Sequence, residues 1–325
     1  MDEPVSIQWF PGHMAKTRRL IAESLKLVDA VAEIIDARIP VSSRNPELAG
    51  IVAQKPRLIL MNKADAADPA ATQRWLATYR AEGVPALAVD CRSGRGLSGF
   101  LPLVRELLRP RLDQLKAKGM AGRPLRIMVV GIPNAGKSSF INRMAGASRA
   151  KVADRPGVTR GNQWVSAGKG VELLDTAGVL WPKFDDPLVG EHLAFTGAVK
   201  DVVMDVELLA ARLLVLLAGQ YPESLLARYK VDVAALAAAG DGGPADSGAQ
   251  DTRPVTPEGA ALLEAVVRRR GMLLPGGVID TERAAVMVLD EFRGGLLGRF
   301  TLELPPGPAT GAGQGKNALS PGAPR

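Results

Sequence analysis

A chain of 325 residues, 46% hydrophobic and 23% charged, is long enough for one large domain and a smaller one around a buried core. Its net charge of +7 leaves two readings open, an anionic partner or basic residues scattered for solubility. A lone cysteine, Cys91, excludes an internal disulfide, so no disulfide partner is expected and the disulfide-stapled secreted class is set aside.

The first residues, Met1-Asp2-Glu3-Pro4, are acidic and carry no basic-then-apolar signal pattern, which points to a cytoplasmic protein. Helical spacing over Met14–Val28 precedes a branched apolar run, Ala30–Asp36, that reads as a buried strand. Arg57–Met61, Val84–Asp90, Leu125–Val130 and Val171–Leu174 repeat that strand pattern. Between them, Ala71–Glu82, Leu97–Leu108 and Lys137–Ala145 carry helical spacing. Such alternation predicts an α/β fold with a mostly parallel sheet.

After about residue 185 the strand pattern fades. Helices are predicted at Glu191–Lys200, Asp205–Leu217, Pro222–Tyr229, Pro257–Arg269 and Thr281–Glu291. The most apolar stretch, Leu208–Gly219, is cut by Arg212 and is too short to span a bilayer, so it reads as a buried helix and no membrane partner is expected. Gly, Ala, Asp, Ser and Pro fill Ala238–Thr252, which reads as a mobile loop, and Pro305–Arg325 reads as a disordered tail. The expected division is residues 1–184 as the α/β domain, 185–304 as a small all-helical domain and 305–325 as the tail.

Within this frame, Asn62-Lys63-Ala64-Asp65 follows the second strand. A carboxylate such as Asp65 can accept hydrogen bonds from both N1–H and the 2-amino group of guanine, whereas adenine offers neither donor. The stem of Lys63 can cover a base, with Ala64 beside it, and Asn62 can tie this loop to another. Asp90 and Cys91 follow the next strand, where backbone contacts to the guanine O6 are expected; Cys91 itself reads as a packing residue.

Gly131-Ile132-Pro133-Asn134-Ala135-Gly136-Lys137-Ser138 matches the phosphate-loop pattern and runs from a strand into a helix. Backbone N–H groups around Asn134, Ala135 and Gly136 can curl about a β-phosphate, backed by the helix N-terminus at Ser138 and Ser139. Lys137 would neutralise β/γ-oxygens and the Ser138 hydroxyl would ligate Mg²⁺. Thr159, in Pro156–Arg160, is the natural second Mg²⁺ hydroxyl, the other reading being a plain exposed turn. Asp175, in Asp175-Thr176-Ala177-Gly178, would hold Mg²⁺ through water, and the Gly178 N–H would sense the γ-phosphate. Together the segments favour GTP over ATP as substrate. The base-reading segment precedes the phosphate loop, the reverse of the usual order, so the domain reads as a circularly permuted P-loop GTPase whose Asp175–Gly178 switch leads straight into the helical half.

The chain resembles the ribosome biogenesis GTPase A family of permuted GTPases from Ile7 to about Leu304. The resemblance rests on Trp9–Lys16, Asp36-Ala37-Arg38-Ile39-Pro40, Ser42–Pro46, Asn62–Asp65, Gly131–Ser139, Asp154–Thr159, Asp175–Trp181 and Gly298-Arg299-Phe300. It implies GTP hydrolysis in late assembly of the large ribosomal subunit, stimulated by that subunit, with ribosomal RNA bound by the helical domain. A monomer away from the ribosome is expected. Many GTPases orient the attacking water with a glutamine just after Asp-x-x-Gly, but Val179 stands there. The resemblance assigns that role to His13; read alone, a histidine beside a glycine is a cap or surface residue, and His192 reads as structural. It also likens Asn134 to a residue that lets related GTPases use K⁺. Lys16, Arg18, Arg19 and Lys26, then Arg268-Arg269-Arg270, Arg283, Arg293 and Arg299, are candidate RNA contacts, and favourable helix C-terminal charges explain the Arg triplet equally well. The alternative function is a nucleotide-gated binding module on another RNA.

Overall fold

The computed structural model describes residues 19–120, 122–146, 163–168, 170–176, 178, 186–199, 205–239 and 256–305. Six strands among them build one sheet: β1 (Ala30–Asp36), β2 (Arg57–Asn62), β3 (Ala86–Ala88), β4 (Leu125–Val130), β5 (Gln163–Gly168) and β6 (Val171–Asp175). Their order is β3-β2-β1-β4-β6-β5, parallel throughout except for the antiparallel edge strand β5. The strand period of two sorts side chains to two faces. Ala30, Ala32, Ile34, Leu58, Leu60, Ile127, Val129 and Leu173 join one large core, while Val31, Met128, Val130 and Leu174 pack on the other face against Ile21, Leu25, Leu48 and Val52. Ile35, Ile59 and Met61 meet Trp75 and Tyr79 on that second side. Burial on both faces is why these strands read as mainly apolar runs rather than as strict alternation.

Residues 19–25 are helical. The helices that follow the first strands are α1 (Pro46–Val52), α2 (Pro69–Ala81), α3 (Phe100–Leu107), α4 (Arg109–Ala117) and α5 (Lys137–Ala145). The second half contributes α6 (Pro187–Phe195), α7 (Val206–Gln220), α8 (Pro222–Tyr229), α9 (Val233–Ala239), α10 (Pro257–Arg270) and α11 (Thr281–Gly294). Four of these helices begin with a capping residue followed by proline: Asn45-Pro46, Asp68-Pro69, Asp186-Pro187 and Thr256-Pro257. Each cap oxygen accepts from a first-turn N–H, and proline lacks an N–H that would need a partner.

Several boundaries differ from the sequence reading. α6 starts four residues before the expected Glu191, so His192 lies in its last turn rather than at its start. Ala238 and Ala239 belong to α9, not to the expected loop, whose residues 240–252 lie outside the described residues together with 306–325. The two halves also share one core, since Leu209, Leu213, Val266, Val288 and Phe292 fall in the same cluster as the strand residues of one sheet face. After α11 the chain crosses back onto the α/β half: Phe300 N donates to Ala66 O at 2.9 Å, Leu302 N to Arg38 O at 2.8 Å, and the Trp75 indole to Glu303 O at 2.7 Å. No helix among the described residues is long and apolar enough to cross a membrane.

Candidate nucleotide site

Strand connections run from β1 towards β2 and β3, and from β4 towards β6, so the topology reverses between β1 and β4. Open α/β sheets bind ligands beyond the carboxyl ends of the strands at such a point. The phosphate loop leaves the end of β4 there. Gly136, at φ 100, opens α5, and a Cβ on it would run into the Asn62 amide. That close approach lets Asn62 join the two loops: its Nδ2 donates to Ala135 O at 2.7 Å, and its Oδ1 accepts from Cys91 N at 2.9 Å. One side chain thus fixes the phosphate loop, the Asn62–Asp65 loop and the loop after β3 relative to each other. Asn134 sits at φ 57 and donates through Nδ2 to Gly197 O, 2.6 Å away, just past α6.

Asp65 is exposed, and Ala64 N is held by Val89 O at 3.2 Å. Lys63 is left-handed at φ 60, and its ammonium lies 3.0 Å from Asp36 Oδ2 at the end of β1. Asp36 in turn takes a forked pair of bonds from Arg38, at 2.9 and 2.7 Å. Burial alone would raise the Asp36 carboxyl, but Arg38 and Lys63 beside it hold it well below the carboxylate range. Asp90 is used inside its own loop, accepting from Arg92 N, Ser93 N and the Ser93 hydroxyl. Its carboxylate is therefore engaged in shaping the loop. Cys91 is buried, and burial pushes its thiol up to about 12, in keeping with a packing role.

Lys137 is buried and donates to Ile132 O at 2.8 Å, lying along the phosphate loop. Burial lowers its ammonium to about 8, with Asp175 at the end of β6 pulling the other way. The same burial raises the Asp175 carboxyl, opposed by Lys137. Gly178 is so near that a Cβ there would meet Lys137 Nζ at 2.8 Å and Pro133 Cα at 3.0 Å. Lys137, Ser138, Asp175 and Gly178 thus gather around the start of α5. A polyphosphate favours the protonated ammonium, so nucleotide affinity is expected to fall as pH rises through about 8. Calorimetric titration with GDP between about pH 6.5 and about pH 9 checks this, and a flat profile contradicts it.

His13, Thr159 and Val179, with Trp9–Lys16 and Asp154–Thr159, lie outside the described residues. Ser139 follows Ser138 in the first turn of α5; Ser138 is half-buried and Ser139 is exposed. His192 is buried and bonds through Nδ1 to Glu303 at 2.9 Å and to Ser42 at 3.2 Å, which is a structural use. Of the candidate RNA contacts, Lys26, Arg269, Arg270 and Arg283 are exposed, Arg270 also pairing with Glu291, and half-buried Arg293 binds the carbonyls of Ala194 and Phe195. The Arg299 guanidinium donates to Ala64 O, within the Asn62–Asp65 loop, at 3.2 Å. Sequence reasoning gave Asp36 and Arg38 no role; their signal was an Asp-x-Arg at a strand end, visible only once the neighbouring strand is placed.

A family model described as 50S ribosome-binding GTPase matches residues 126–223, which contain the phosphate loop and β6. Ribosome biogenesis GTPase A of Priestia megaterium is 44% identical over 302 residues, covering 93% of this chain and 98% of that protein. The protein of the same name from Thermotoga maritima is 30% identical over 300 residues, covering 92% and 95%. The structure of GNP-bound YlqF from T. maritima is 25% identical and superposes with a TM-score of 0.56, covering 89% of this chain and 98% of that one. With its Asn62–Asp65 loop ahead of its Gly131–Ser138 loop on one mostly parallel sheet, the chain belongs to the ribosome biogenesis GTPase A family of circularly permuted GTPases.

Proposed function

We propose that this GTPase binds GTP between the Asn62–Asp65 and Gly131–Ser138 loops and hydrolyses it during assembly of the large ribosomal subunit in the cytoplasm. The observation that carries this reading is the Asn62 amide, which bonds both Ala135 and Cys91 and so joins the base and phosphate loops of a single ligand site. Asp65 reads guanine, the stem of Lys63 covers the ring, and Lys137 neutralises the β- and γ-phosphates. Ser138 and Asp175 offer the hard oxygen donors that suit Mg²⁺, with Thr159 as a further hydroxyl, and the ion supplies charge neutralisation at the phosphate oxygens when bound. The nitrogen of the Asn134 amide is held by Gly197, leaving its oxygen as the donor for a K⁺ ion. Backbone N–H of Gly178 reports the γ-phosphate, and His13 orients the attacking water in place of Val179.

Exposed Lys26, Arg269 and Arg283 would meet ribosomal RNA phosphates, and the free protein would be a monomer. A nucleotide-gated reading is favoured by the Asn134–Gly197 bond, which hands the phosphate-loop state directly to the helical half. The test is GTP turnover with and without large subunits, alongside sedimentation in GTP-analogue and GDP states. Large subunits are expected to raise turnover and to carry the GTP-state protein with them. His13→Ala should lower the stimulated rate by roughly a hundredfold and leave GTP binding intact. Turnover indifferent to the subunit would sink the assembly reading, and an undiminished His13→Ala rate would move the water-orienting role elsewhere.

A further inference from the structure

We propose that Arg38 and Asp36 are positioning residues for base recognition, holding Lys63 in its left-handed conformation and tying it to the end of α11. The proposal rests on reading Asn62–Asp65 as the base loop. Lys63 is one of three non-glycine residues with positive φ among those described, a conformation disfavoured for any residue with a Cβ. Something must hold it, and its ammonium lies 3.0 Å from the Asp36 carboxylate. Parallel register sets Asp36 beside Asn62, so the carboxylate sits at the root of the loop.

Asp36 is itself held on every side. Arg38 donates from Nε to Oδ1 at 2.9 Å, from Nη2 to Oδ2 at 2.7 Å, and from its backbone N to Oδ1 at 3.0 Å. The remaining guanidinium nitrogen of Arg38, Nη1, reaches Phe292 O at 3.3 Å and Arg293 O at 3.5 Å, with the guanidinium carbon 5.3 Å from the Phe292 ring centroid. Those carbonyls close the last turn of α11, where unpaired C=O groups and the helix dipole favour a cation. Arg38 is 1% exposed, the largest fully buried side chain described. The backbone repeats the link, because Ala37 N donates to Asn62 O at 2.8 Å and Leu302 N to Arg38 O at 2.8 Å.

A buried ionic cluster of this size is a poor stabiliser compared with an apolar cluster of equal volume. What it adds is geometry: a planar fork fixes the carboxylate, and the carboxylate fixes the lysine that covers the base. The end of α11 therefore helps set guanine-nucleotide affinity from a distance, without touching the nucleotide.

Arg38→Lys keeps the charge but loses the fork, and Arg38→Met removes both. Affinities for GDP and for inorganic pyrophosphate are measured on the full chain, with Asp65→Asn as the control for the base loop. Arg38→Lys is expected to weaken GDP binding by about tenfold and Arg38→Met by more, with pyrophosphate binding changed less than about twofold in both. Equal losses for GDP and pyrophosphate would make Arg38 a general structural residue and overturn the proposal, as would unchanged GDP affinity. Should Arg38→Met fail to fold, Arg38→Lys decides the matter alone. If Asp65→Asn leaves guanine preference unchanged, it is the base-loop assignment that fails, an outcome separable from the Arg38 result.

Discussion

Lys137→Met is expected to lower GTP turnover by roughly a hundredfold to a thousandfold while making the nucleotide-free protein more stable. Both effects share one cause. The ammonium is buried, and burial takes its pKa from an ordinary 10.5 to about 8. A depressed lysine pKa means that the charged form is less favourable in the folded state than in the unfolded one. Below about pH 8 the group is protonated in both states, and the folded state bears the full cost, on the order of 3 kcal/mol. Between about 8 and 10.5 the unfolded chain keeps a proton that the folded protein has released, so wild-type stability rises with pH across that window. Methionine keeps much of the stem and removes the charge. It also strips Ile132 O of its donor, a loss of about 1 kcal/mol. The net gain at neutral pH is about 2 kcal/mol, a Tm rise of a few degrees. Thermal melts of the nucleotide-free proteins at pH 7, set beside GTP turnover, test both halves. A Met variant that is both inactive and less stable would show that the charge is not strained in the empty site.

What could be read from the sequence follows from how local each signal is. The phosphate loop is eight consecutive residues with a strand before and a helix after, and α5 runs over the expected Lys137–Ala145. β1 and β4 were legible because both of their faces are buried. β5 was missed because it is an antiparallel edge strand whose residues, apart from Ala167, are at least partly exposed, so no apolar run marks it. α1 is only seven residues long, too short for periodicity, although Asn45-Pro46 announces its start. The cap–proline pair at Asp186-Pro187 likewise marks the start of α6, which the apolar pattern placed too late. The Lys63–Asp36–Arg38 cluster was not legible at all. Lys63 and Asp36 are far apart in sequence and meet only through the register of β1 on β2, and Arg38 meets Phe292 only through the packing of α11. Charge patterning also could not show that the guanidinium groups of Arg270, Arg293 and Arg299 make contacts within the protein.

Asp36→Ala is expected to destabilise the protein by about 3–5 kcal/mol, because it leaves the Arg38 guanidinium buried with no counter-charge. Lys63 suffers less, since its side chain is 28% exposed and can turn towards water. The pH dependence separates charge from shape. Arg38 and Lys63 overcome the effect of burial and hold the Asp36 carboxyl below its ordinary 3.8, so its contribution is complete above that value and is lost as pH falls through the lower, folded one. The gap between wild type and Asp36→Ala should therefore stay constant from about pH 5 to about pH 8 and narrow only below about pH 4. Denaturant midpoints across that range measure it. Asp36→Asn keeps the shape and loses the charge, and it should fall close to Asp36→Ala. If the asparagine variant instead matches wild type, hydrogen-bond geometry alone holds the cluster. The double variant Asp36→Leu/Arg38→Met should recover most of the lost stability, because an apolar pair replaces both buried ions together. It should not recover guanine-nucleotide affinity, since Lys63 would still lack the carboxylate that holds it at φ 60.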